Sequence, residues 1–157
     1  MIRRLLLPLM LVAVLVAAAS GREPTGEPAP PSSARLPWAR LTGAATTAPQ
    51  TRRPHALLYV SATCPHCEGV ARYVDSLAAS AAVPLVVVSA DPPSAMTAWR
   101  ARTGVRAPIL TDSSRAMRRA LLLRFVPTLV AYDVTGEGRR VTGVNRRAIR
   151  HAMGEAR

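Results

Sequence analysis

Two cysteines, Cys64 and Cys67, are the only thiols among 157 residues, and they enclose Pro65-His66. A pair at this spacing can close a disulfide, hold a soft metal ion, or cycle between dithiol and disulfide. The flanking residues favour cycling. An apolar, β-forming run at 56–61 leads into the pair and helical spacing follows it, so Cys64 falls at a helix N-terminus. Unpaired amides and the positive end of the helix dipole there favour a thiolate. Pro65 suits the first helical position, where its missing N–H has no partner to lose. His66 brings a positive charge and a donor beside the sulfur. Cys67, one turn on, can close on Cys64 and release a mixed disulfide.

Other chemistries compete. Covalent haem attachment needs His after the second Cys, and residue 68 is Glu. Tetrahedral zinc needs two further ligands; His66 is too close to both cysteines to chelate well, and His55 and His151 fall on other elements. Copper accepts two thiolates and stays open as a metal-handling alternative that uses Cys64, Cys67 and His66. An inert structural disulfide also stays open.

The elements that must position the pair alternate between strand and helix over residues 55–157. Strands are expected at 56–61, 84–90 and 128–133, with a short extended piece at Ile109-Leu110. Helices are expected at 65–82, at 93–103 with Met96 and Trp99 inward and Gly104 as terminator, at 113–124, and at 145–154 with Asn145 as N-cap. A turn at 135–138 leads to a hairpin partner at 140–143. His55 and His151 read as ordinary exposed residues. This order implies an α/β fold, a mixed central sheet with helices on both faces.

Residues 1–20 read as a signal peptide or N-terminal membrane anchor. Arg3 and Arg4 precede a 15-residue apolar run at 5–19, and Ala17-Ala18-Ala19 offers a cleavage site. No Cys follows that run, which excludes a lipoprotein. Residues 21–54 carry seven prolines and read as an extended linker, except for a short edge strand expected at 36–41 from Leu36, Trp38 and Leu41. The location implied is exported, periplasmic or extracytoplasmic, with anchoring by 5–19 as one option. The net charge of +12 comes entirely from Arg among the basic residues. Its plain reading is a solvated face, and its functional reading is steering toward an acidic partner or an anionic membrane surface, with Arg115, Arg118 and Arg119 on one helix face. Aromatic content of 4% leaves no stacking platform for nucleic acid.

Strand, Cys64-Pro65-His66-Cys67, helix, and Val126-Pro127-Thr128 entering a late strand resemble the thioredoxin-like fold. The segments 86–91, 109–112 and 132–143 are similar to the exported TlpA/ResA-like branch, extracytoplasmic thiol–disulfide oxidoreductases. That resemblance spans residues 55–150. It implies a catalytic, reversible disulfide between Cys64 and Cys67, a cis Pro127, and a substrate groove at Val126, Pro127 and Thr128 where an extended polypeptide pairs with backbone. Its partners would be protein thiols and disulfides and a membrane redox partner. A monomer is expected, with no cofactor, no metal and no nucleic acid.

The sequence departs from the branch at several places. Thr63 stands where Trp usually precedes the first Cys. Leu58 and Val70 stand where the acids that help deprotonate the buried Cys usually lie, and Glu68 is expected to face solvent. Peroxidase activity is disfavoured because Leu57 replaces the required Pro. Pro-His is the dipeptide of DsbA-type oxidants, whereas the branch mostly contains reductants. An intermediate potential, with direction set by the partner, is therefore expected.

Overall fold

The computed structural model describes residues 30–43 and 53–155. The predicted leader at 1–20 lies outside them. Among the described residues six strands form one mixed sheet, in the order β1-β4-β3-β2-β5-β6. They are β1 (Thr42–Gly43), β2 (His55–Val60), β3 (Leu85–Ser89), β4 (Ile109–Thr111), β5 (Thr128–Tyr132) and β6 (Gly138–Thr142). Strands β2, β3 and β4 run parallel, while β5 is antiparallel to β2, β6 to β5 and β1 to β4. Every residue of β2, β3 and β5 is buried, which requires cover on both faces.

Alternation along the strands divides the interior into two cores. Ala56, Leu58, Val60, Val87, Leu129 and Ala131 face α1 (Pro65–Ala81), α2 (Pro93–Thr103) and α4 (Arg146–Glu155). Leu57, Tyr59, Val86, Val88, Val130 and Tyr132 face the short α3 (Ala116–Ala120) and residues 36–41. Met96 and Trp99 are buried in the first core, Gly104 ends α2 at φ 68°, and Asn145 Oδ1 accepts the Ala148 amide, as the sequence led us to expect.

Three local structures differ from expectation. The helix anticipated at 113–124 is only five residues long. Asp112 is the cause: its carbonyl accepts the Arg115 amide, and Arg115 turns left-handed at φ 55°. Its carboxylate then accepts the Met117 and Arg118 amides and the Tyr59 hydroxyl, so the helix starts only at Ala116. Leu122 turns left-handed at φ 52° and closes it.

The edge strand anticipated at 36–41 is instead a pair of 3-10 turns, Ser33–Arg35 and Trp38–Arg40, and the strand follows at Thr42–Gly43. Pro37 cannot donate to a ladder, and the turns let Leu36 and Leu41 both reach the second core. The sequence singled out Leu36, Trp38 and Leu41 for contact with the domain but not the turns that bring them there.

His55 is 1% exposed rather than a surface residue. Its Nδ1–H donates to the Arg53 carbonyl at 2.8 Å, its Nε2 accepts the Ser33 hydroxyl at 2.6 Å, and its ring stacks on Tyr132. His151 is exposed.

Candidate active site

Strand β2 delivers the chain to the site and α1 begins there. Cys64 is the N-cap of α1 at φ −85°, ψ 114°, with Pro65 at the first helical position. The turn between them is fixed by the Cys64 amide on the Ser61 carbonyl and by the Cys67 amide on the Cys64 carbonyl. Cys64 is half-buried, Cys67 is fully buried, and both are free thiols. One sulfur is open to attack and the other is sheltered beneath it. His66 is exposed on the first turn of α1, while Glu68 is only partly exposed and pairs with Arg102 of α2 at 3.1 Å.

Across the sheet end, the Val126–Pro127 peptide is cis. The Cys64 Sγ–H donates to the Val126 carbonyl at 3.8 Å, so the dithiol and the segment entering β5 are in contact. Val126 is half-buried and Pro127 is buried. Thr128, expected to line the groove, is 1% exposed, and its hydroxyl donates to the Phe125 carbonyl at 2.8 Å. Its side chain braces the loop from beneath because a residue two places along a strand from Val130 shares that residue's inward face.

Burial pushes the Cys67 thiol up to about 12, assisted by the hydrogen bond with Cys64 and the charges of Cys64 and Asp91, and opposed by the Ser61 amide. Asp91 is a residue beside the site that sequence reasoning did not single out. It follows β3, and its Oδ2 accepts the Ala62 amide at 2.6 Å and the Ser89 hydroxyl at 2.9 Å. Burial works against its ionisation, but these bonds and one from Ser61 outweigh it and hold the carboxyl below the usual carboxylate range. The positions where the branch usually carries its acid, Leu58 and Val70, are buried and apolar. An acid from the neighbouring strand thus acts on the buried thiol by its charge. The signal was an Asp directly after an apolar run parallel to β2, visible only once β3 is known to lie beside β2.

The arginines also depart from a plain solvated face. Arg115 precedes α3 and does not join it. Arg118 donates to the Leu123 and Arg124 carbonyls, Arg119 to the Ser114 carbonyl, and Arg140 to the Leu121 carbonyl. Among the described residues no group of three or more His, Cys, Asp or Glu is gathered as a metal site.

A thioredoxin-like sheet with a Cys-x-x-Cys at its central strand–helix junction defines the thioredoxin-like disulfide oxidoreductase class. The AhpC/TSA family model matches residues 25–144, and the chain belongs to that family. Among curated proteins no sequence matches. Solved structures share the fold. DsbF of MTB matches at TM-score 0.63 and 23% identity, covering 68% of this chain and 82% of that one. A secreted Mycobacterium tuberculosis disulfide oxidoreductase homologous to E. coli DsbE matches at TM-score 0.59 and 18% identity, covering 65% and 81%. StoA from Bacillus subtilis matches at TM-score 0.52 and 18% identity, covering 59% and 75%.

Proposed function

We propose that this protein exchanges disulfides with protein substrates outside the cytoplasm through the Cys64–Cys67 dithiol. The observation that carries this reading is the pairing of a half-exposed Cys64 at a helix start with a fully buried Cys67 one turn behind it. In the reducing direction the Cys64 thiolate attacks a substrate disulfide. One substrate sulfur leaves as thiolate and a mixed disulfide forms. Cys67 then loses its proton and attacks the Cys64 sulfur, closing Cys64–Cys67 and expelling the second substrate thiolate. Two electrons pass to the substrate, and its thiolates take up the two protons the protein dithiol gives up. Run backward, the same steps oxidise a substrate dithiol.

In this scheme Cys64 attacks from the N-terminal end of α1, with the exposed His66 on the first turn beside it. Val126 offers backbone to an extended substrate beside Pro127, a form of strand addition. The apolar leader places the domain in an oxidising compartment, where a membrane redox partner resets the dithiol. Among the described residues no helix is long and apolar enough to cross a membrane.

Cys67→Ser tests the reading. An exchange enzyme then accumulates mixed disulfides at Cys64, visible as reductant-sensitive adducts on non-reducing gels, while Cys64→Ser accumulates none. A copper carrier using the same thiolates would lose metal in both variants and trap no protein. That second result would sink the exchange reading.

A further inference from the structure

We infer that the loop between α3 and β5 is a built docking surface for cysteine-bearing partner segments that are apolar beside the cysteine and acidic overall. This rests on the exchange reading above and names the substrate class of that site. The chain's single Phe, Phe125, is 69% exposed, and Leu122 is 64% exposed. Their neighbours Leu121 and Leu123 are buried. Exposure of alternate large residues reflects a held backbone. Leu122 sits at φ 52°, a conformation unfavourable for a branched side chain, which persists only where surroundings impose it.

Those surroundings are visible. Arg140 donates to the Leu121 carbonyl at 2.8 Å and Arg118 to those of Leu123 and Arg124 at 3.2 and 3.4 Å. Thr128 donates to that of Phe125 at 2.8 Å. Four hydrogen bonds from three side chains to four carbonyls of residues 121–125 fix a loop that turns Leu122 and Phe125 outward. A rigid apolar anchor costs little entropy on binding.

The surface is continuous with the reactive sulfur. Phe125 precedes Val126, whose carbonyl meets Cys64 Sγ at 3.8 Å. On the other side the Gly143 amide bonds the carbonyl of the next residue, Pro127, and the following Val144 is 56% exposed. Charge specifies the rest of the occupant. Residues 113–132 and 138–150 carry Arg115, Arg118, Arg119, Arg124, Arg146 and Arg147 among their cations and no Asp or Glu. An apolar centre set among arginine-rich segments favours acidic partners over basic ones.

The test uses the reduced full chain and short cysteine peptides capped as mixed disulfides with an aromatic thiol. Attack of the Cys64 thiolate on the peptide sulfur breaks that disulfide and expels the coloured aryl thiolate. Three peptides differ only in flanks: apolar–acidic, apolar–basic and polar–acidic. The apolar–acidic peptide reacts about tenfold faster than the apolar–basic one at low salt, and the gap closes as salt is added. It also outpaces the polar–acidic peptide. Phe125→Ser erases the apolar preference and Arg124→Gln narrows the acidic one. Val134→Ser, which removes a 57%-exposed valine on the β5–β6 turn, changes neither. Equal rates for all three peptides, or full selectivity in Phe125→Ser, overturn the docking surface while leaving exchange standing. So does a Phe125-dependent dimer without peptide selectivity. A Cys64 inert even to the free aromatic disulfide overturns the exchange reading and this surface together.

Discussion

The carboxylate of Asp91 accepts the Ala62 amide at 2.6 Å, tying the end of β3 to the turn that carries Cys64. The same carboxylate also accepts hydrogen bonds from the Ser89 and Ser61 hydroxyls, and its charge acts on the buried Cys67. It therefore does two separable things: it holds the turn, and its charge adds to the burial that raises the Cys67 thiol.

Asp91→Asn separates them. Asn still accepts the Ala62 amide but lacks the charge, so the Cys67 thiol moves down from about 12. The measurement is alkylation of Cys67 against pH in a Cys64→Ser background, with and without Asp91→Asn. An unmoved titration would confine Asp91 to the turn. Asp91→Ala also orphans the Ala62 amide and costs about 1–3 kcal/mol in urea unfolding.

The redox potential decides the direction of electron flow. Equilibration of the full chain with glutathione buffers, followed by counting free thiols, is expected to place it between about −120 and about −270 mV. A value at the upper end means the Pro65-His66 dipeptide dominates and the protein donates disulfides. A value at or below the lower end makes it a reductase. A pair that never equilibrates leaves only an inert or metal-bound dithiol.

Stability carries a histidine signature. Burial holds His55 below its ordinary value, against the opposing bond to the Arg53 carbonyl. Between the depressed folded value and about 6.5 the unfolded chain binds more protons than the folded one. The stability from neutral His55 is therefore complete above about pH 6.5 and declines as pH falls below it, by at most about 1.4 kcal/mol per pH unit. His55→Gln flattens urea midpoints over that window. An identical slope in the variant would assign the pH dependence to other groups.

The segment at 30–43 is structural. Leu36 and Leu41 are 6% and 7% exposed. Leu36→Ala or Leu41→Ala each costs about 2–5 kcal/mol, read as a lowered urea midpoint. A spacer would lose almost nothing.

The sequence by itself carried the strand order along the chain, the two proline-opened helices, the Asn145 cap and the placement of Cys64 and Cys67 at a strand–helix junction. These follow from local periodicity, capping and spacing, which act within a few residues. Only tertiary structure decided the rest. Asp112 shortens α3 because Tyr59, on a strand 53 residues away, holds one end of its carboxylate. His55 is buried because Ser33 and Tyr132 meet it, and neither is near in sequence. Asp91 reaches the turn before Cys64 because β3 lies beside β2. Phe125 faces solvent on a loop that Arg118, Arg140 and Thr128 hold by its carbonyls. The bonds of Asp112 to Tyr59, His55 to Ser33 and Asp91 to Ala62 join residues that only the folded chain brings together, and no local pattern encodes them.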